Sequence, residues 1–321
     1  MLSHVIGKIT IISMTKKLNY VFLTILAIVF IAGLQQRAHY LGTLSDKYGD
    51  GHHQWLTASS MIFVDNWLED GVWNDRFLLL AKPRSIESVD FQNRHIYPSY
   101  PPGSIVPIYW IRKIFPSLTS IQAIRYFGVC NQFLVGIVIF WIIRSIFPEP
   151  RLTNACFAFL GAFFYLWMPK PFYFHSMVYF ADLAAILPFS IILLQEIWVR
   201  KKKSYFSLCG QSLVLACLAL IDYLVIPLAM ILYVFRLTDP FKKYQSNYQK
   251  WLINGLQIFA PIVFVYLIFL INSFIAGALG DLIEKMLYRT AVSDEGNHYI
   301  YSFYQQFFIN NLSHFLKVIQ S

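Results

Sequence analysis

Charge is what this sequence has least of: Asp, Glu, Lys and Arg make up 13% of its 321 residues. Soluble domains carry about 25%, so a single water-facing globule is excluded. Cysteine is scarce as well. Cys130, Cys156, Cys209 and Cys217 lie within apolar stretches rather than at paired loop positions, which reads as small core hydrophobes and excludes a disulfide framework. There is no glycine-rich phosphate loop, internal repeat or low-complexity tract, and no His or Cys cluster has the spacing of a protein-made zinc site.

What is abundant is apolar surface. The chain is 57% hydrophobic with a mean hydropathy of +0.52, more than one soluble core can hide. Its 20 Tyr and 8 Trp suit many passages through the headgroup region, where amphipathic rings settle. A net charge of +9 would point to nucleic acid in a soluble protein. In a lipid-embedded chain it marks the cytoplasmic side instead, and no nucleic-acid partner is expected.

Apolar runs of membrane-crossing length, bounded by charge or turn residues, fall at about 18–35, 121–143, 154–173, 181–198, 207–221, 223–236 and 252–276. The expected fold is therefore an all-α polytopic membrane protein with about seven transmembrane helices. The fifth and sixth runs are short and share one apolar stretch broken at Asp222-Tyr223, so a single bent helix is the alternative. With residues 1–17 inside, Lys8, Lys16, Lys17, Arg144, Arg151, Arg200 to Lys203, Arg236, Lys242, Lys243 and Lys250 all face the cytoplasm, satisfying the positive-inside rule. Most carboxylates, including Asp50, Asp182 and Asp222, then face outward, and chemistry is expected on the extracytoplasmic side. The basic, apolar N-terminus lacks a small-residue cleavage site at Gln35-Gln36-Arg37, which favours a retained anchor. A transmembrane module over 18–276 would contain a large outer loop, 37–120, with 277–321 as an outer C-terminal segment. Within the loop, Gln54 to Leu68 and Ser104 to Phe115 read as interfacial helices, the second being too short to span.

Several side chains can carry chemistry there. Asp50, in Tyr48-Gly49-Asp50-Gly51, can deprotonate an acceptor hydroxyl or ligate a cation with His52 or His53, or serve only as a turn carboxylate ahead of a helix. Asp182, at the head of the fourth run, is an ionisable group at the edge of hydrocarbon: a functional carboxylate or a helix cap. Tyr97-Pro98-Ser99-Tyr100-Pro101-Pro102-Gly103 is a rigid turn that can floor a pocket or redirect the chain. Arg94, His95, Arg125, Lys170, His175 and Arg289 can each hold a phosphate at the outer boundary or snorkel there.

In order along the chain, Tyr48-Gly49-Asp50-Gly51, the two interfacial segments, Tyr100-Pro101-Pro102-Gly103, Ile124-Arg125-Tyr126-Phe127, Tyr179-Phe180-Ala181-Asp182-Leu183 and the short hairpin around Asp222 resemble the membrane module of GT-C glycosyltransferases. The similar branch contains the lipid A aminoarabinose transferase and the protein O-mannosyltransferases, and the resemblance covers about 18–275. It implies transfer of a sugar from a polyprenyl-phosphate donor to a lipid, glycan or protein acceptor. Asp50 would be general base, Tyr100 and the outer cations would bind donor phosphate, and Asp182 would support the centre, in some members through a divalent cation that His53 can share. This chain departs from the family in having Gly51 after Asp50, in lacking the acid and lysine before the proline turn, and in lacking a lysine near Asp222. It also ends at Ser321, where relatives of this class continue.

Two other readings stand beside the enzyme. One is a catalytically inactive GT-C-like assembly partner or truncated product, with a second protein supplying the C-terminal module. The other is a transporter for lipid-linked sugars, disfavoured because the carboxylates gather at one face rather than at the midplane. An Asn311-Leu312-Ser313 sequon is present, and the compact size favours a bacterial inner membrane.

Overall fold

The computed structural model describes residues 17–35, 52–82, 96–98, 100–147, 151–202, 205–237 and 248–289. Among these the secondary structure is helical, apart from an isolated antiparallel bridge between Leu80 and Ile96. In order the helices are α1 (Lys17–Gln35), α2 (His52–Asp70), α3 (Val106–Ile114), α4 (Ser120–Ile146), α5 (Leu152–Trp167), α6 (Pro169–Met177), α7 (Ala181–Lys202), α8 (Tyr205–Ile221), α9 (Val225–Leu237), α10 (Tyr248–Ile275) and α11 (Leu279–Arg289).

Helices α1, α4, α7 and α10 are long and apolar enough to cross a membrane, and α5 with α6 makes a fifth crossing if the bent pair is one span. The described residues are thus all-α, with four to five membrane-length helices among them. The expected run at 154–173 is not straight: α5 and α6 meet at 54°. Pro169 is the cause. It forces Met168 into extended backbone (φ −61°, ψ 137°) and removes the amide that the Tyr165 carbonyl needs. Gln132 of α4 offers its Nε2 to the carbonyls of Tyr165 and Leu166 instead, at 3.5 and 3.2 Å. The runs at 207–221 and 223–236 form two separate short helices rather than one bent one. At 1.5 Å per residue the 17 residues of α8 and 13 of α9 reach only about 26 and 20 Å, short of the roughly 30 Å hydrocarbon layer.

Among the described residues four apolar clusters form, and three of them hold the long helices together. Leu26 and Phe30 of α1 pack on Phe140 of α4 and Ala158, Ala162 and Leu166 of α5. Phe63, Val64 and Trp67 of α2 pack with Ile105, Ile108, Ala123, Tyr179 and Leu183, joining α2, α3, α4 and the head of α7. Ile192, Leu215, Leu228, Leu232, Ile258 and Ile262 bind α7 to α10 together. Pro261 inside α10 denies the Gln257 carbonyl its helical donor, and the Ser212 hydroxyl of α8 replaces it at 3.0 Å. A proline inside a membrane helix is tolerated here because a neighbour supplies the missing hydrogen bond.

The cysteine expectation needs correcting. All four are free as expected, but Cys130, Cys209 and Cys217 are exposed and Cys156 is half-buried, so they are not core residues. Lipid is as apolar as a protein core, and a small hydrophobe gains nothing by choosing one over the other. The segment expected as one helix over Ser104 to Phe115 is a 3-10 turn, Pro102–Ser104, followed by α3.

Candidate functional site

Of the described residues expected to carry chemistry, Tyr100 and Asp182 lie beside the link between α6 and α7. This link, Val178 to Phe180, is buried, and extended backbone in a buried place must find partners from elsewhere. Helix α2 supplies two. The Thr57 hydroxyl accepts from the Tyr179 amide at 3.0 Å, and the Ser60 hydroxyl reaches the Tyr179 carbonyl at 3.3 Å. Three residues apart, Thr57 and Ser60 share one face of α2. The Tyr179 hydroxyl in turn donates to the Ser104 carbonyl in the proline turn, and full burial pushes its pKa upward, keeping it a neutral donor. From α4, Asn131 Nδ2 donates to the Leu183 carbonyl at 2.9 Å, one residue before the Ala184 carbonyl that Pro188 leaves without its helical amide. Helix α2 and the proline turn are thereby tied to the link itself, and α4 to α7 just beyond it.

Helix α4 is aimed into this knot by a capping box: Thr119 Oγ1 accepts from the Gln122 amide at 3.3 Å while Gln122 Oε1 accepts from the Thr119 amide at 2.8 Å. The Ser120 hydroxyl donates to Asp65 Oδ1 of α2. The proline turn is equally constrained. Pro101, Pro102, Gly103 and Ser104 are buried, and a Cβ on Gly103 would stand 2.5 Å from the Leu220 carbonyl oxygen at the end of α8. Glycine is required by that approach. The turn therefore packs against the C-terminal end of α8 beside the α8–α9 break, where Asp222 Oδ1 accepts from the Leu224 amide at 2.8 Å, closing the turn that leads into α9, and the Tyr266 hydroxyl donates to the Asp222 carbonyl at 3.3 Å.

Two of the expected site residues meet in the knot. Asp182 stands exposed in the first turn of α7, two residues beyond Phe180, and Tyr100 sets its ring edge-on against Phe180 with centroids 4.8 Å apart. Arg125 lies half-buried in the second turn of α4, and Lys170 is exposed at the start of α6. His175 differs from the expectation of a boundary cation. It is buried, its Nε2 2.7 Å from the Tyr165 hydroxyl and its Nδ1 3.1 Å from the Gly128 carbonyl, so both ring nitrogens are used to pin α6 against α4 and α5. Gly128 makes that contact possible, since a Cβ there would lie 2.2 Å from the His175 carbonyl oxygen. Asp50, Arg94 and His95 lie outside the described residues. His53 and Arg289 are placed only as backbone, near the start of α2 and at the end of α11. Among the described residues no three His, Cys, Asp or Glu side chains gather as a metal site would need.

Sequence reasoning passed over Thr57, Ser60 and Asn131, and took Tyr179 only as part of the motif around Asp182, although these residues build the knot. Their signal was weak: polar side chains inside apolar helical runs, whose partners lie 52 to 122 positions away.

Comparison with known proteins finds no match: no family model fits the chain, and no curated protein or solved structure is significantly similar to it.

Proposed function

We propose that the protein is a membrane glycosyltransferase that moves a sugar from a polyprenyl-phosphate donor to an acceptor hydroxyl or amine. The observation that carries this reading is the Tyr179 knot: an exposed carboxylate, Asp182, opens a membrane-length helix, and the preceding link is pinned by α2 and the proline turn with Tyr100 against it. Rigid placement of an acid at a membrane boundary is what transfer between a lipid-borne donor and an outside acceptor requires. On this reading α8 and α9 count as two short crossings, giving seven spans with the N-terminus inside. Residues 37–120 form the outer loop, α2 and α3 rest in the interface, and the site faces outward across a bacterial inner membrane.

In the reaction, Asp50 takes the proton from the acceptor hydroxyl as its oxygen attacks the anomeric carbon. The bond from that carbon to the phosphate oxygen breaks, and the electron pair leaves with the polyprenyl phosphate. Asp182 supports the developing positive charge at the sugar directly; a divalent cation, if Asp182 held one, would instead neutralise the negative charge of the departing phosphate. Donor phosphate would be held by Arg94, His95, Arg125, Lys170 and Arg289.

The test is transfer from a panel of radiolabelled polyprenyl-phosphate sugars by purified protein in lipid with membrane extract as acceptor source. Asp50→Asn is expected to lower turnover by roughly 10²–10⁴ and Asp182→Asn to abolish transfer, with unchanged melting of both variants. No transfer from any donor by folded wild type would overturn the enzyme in favour of an inactive assembly partner.

A further inference from the structure

The opposite end of α7 carries a second polar cluster that the proposed chemistry does not use. Arg236 of α9 lies against Glu196 of α7, with Nη2 2.7 Å and Nε 3.1 Å from Oε2, and both residues are buried. Gln211 of α8 donates to Glu196 Oε2 at 3.1 Å and accepts from Arg236, whose Nη1 reaches Gln257 of α10 at 3.3 Å. Every nitrogen of Arg236 is committed. Arg200, one turn beyond Glu196, joins the same carboxylate through Nε alone, at 3.1 Å. Two guanidinium groups thus share one carboxylate, and one positive charge is left over.

That charge is held in a defined place. The Arg200 guanidinium carbon lies 5.5 Å from the centroid of the Phe235 ring, the side chain is 35% exposed, and among the described residues its two terminal nitrogens have no partner. Arg200 is where the apolar span of α7 ends. Trp198 beside it is 43% exposed and tied through its indole to the Ser145 hydroxyl at 3.2 Å, as a ring at headgroup level should be. Lys201, Lys202 and Lys203 follow in sequence.

We propose that Arg200 is a preformed contact for the phosphate of an anionic phospholipid. A basic helix end by itself follows from topology and needs no ligand. What distinguishes Arg200 is that its Nε is held by Glu196 and its guanidinium carbon lies 5.5 Å from the centre of the Phe235 ring, leaving two terminal nitrogens for two phosphate oxygens at reduced entropic cost. The following lysines add a general attraction for anionic headgroups, about 1 kcal/mol each. The site lies at the far end of α7 from Asp182 and stands whether or not the protein transfers sugar.

Native mass spectrometry of the full chain, released from nanodiscs containing phosphatidylcholine and phosphatidylglycerol, reads the bound lipid. Wild type should retain phosphatidylglycerol over phosphatidylcholine. Arg200→Gln should weaken that preference about tenfold, the loss of one charged hydrogen-bonded contact, and Lys202→Gln by no more than about fivefold. Arg200→Lys should fall between them because it keeps the charge and loses the fork. Phe235→Leu, which leaves every charge in place, should also weaken retention and covers the case in which Arg200→Gln does not fold. Equal losses for Arg200→Gln and Lys202→Gln would reduce the site to general basicity and overturn the proposal. So would displacement of phosphatidylglycerol by millimolar inorganic phosphate, which would make the ligand a soluble anion.

Discussion

The two ends of α7 solve one problem in opposite ways. At its head, the Tyr179 link is held by neutral groups that bond to backbone: Thr57, Ser60, Asn131 and the Ser104 carbonyl. At its tail, about 21 Å further along the helix, Glu196 and Arg236 are held by charge, with Gln211 and Gln257 completing the shell. A neutral network spreads its contribution over many bonds worth about 0.5–1.5 kcal/mol each, so it sets backbone position and tolerates loss. An ionic network concentrates it, because removing one partner strands a buried charge. The head is built for placement and the tail for fastening.

The sharpest way to break this contrast is at the tail. Arg236→Met should cost up to about 3–5 kcal/mol by leaving the buried Glu196 with only the partly exposed Arg200 and the neutral Gln211 as partners, seen as a large drop in melting temperature in detergent. Glu196→Leu with Arg236→Met should recover most of that loss. If the double variant melts no higher than the single one, the tail is not an ionic fastening.

At the head the effects should be smaller. Gly103→Ala must push the proline turn off the Leu220 carbonyl, at about 1–3 kcal/mol by analogy with overpacked cores. The proposed transfer should fall more than stability does, because the turn carries Tyr100 onto Phe180. Tyr179→Phe strands the Ser104 carbonyl at about 1–3 kcal/mol. Thr57→Val, with a similar shape and no hydroxyl, should cost least, about 1 kcal/mol. The head is expected to act additively to within a few tenths where residues do not touch, whereas the tail pair should show a coupling above about 0.5 kcal/mol in a double-mutant cycle.

Much of the architecture was legible before any coordinates. Runs at about 18–35, 121–143, 181–198 and 252–276 correspond to α1, α4, α7 and α10, because a long apolar stretch that must satisfy its own backbone bonds has little choice but helix. The bend at Pro169 was not anticipated, although Met168-Pro169 states it locally through the residue-before-proline rule. His175 read as a surface cation because a lone histidine near a helix end looks the same whether it faces phosphate or Tyr165. Glu196 and Arg236 were both assigned to the cytoplasmic side, which is compatible with their pairing, yet nothing in residues 40 positions apart announces that they meet.

The sequence alone determined that this chain is helical and apolar enough to suggest a membrane protein: low charge and long apolar runs make membrane-length helices the natural outcome. It also determined where chain direction must change, through Pro101-Pro102-Gly103, Pro169 and the Asp222 break. Only the tertiary structure decided which apolar face is core and which meets lipid, because both are equally apolar and hydropathy cannot separate them. It also decided which polar groups find one another, since in a medium without water each such group must be answered by a partner brought from elsewhere in the fold.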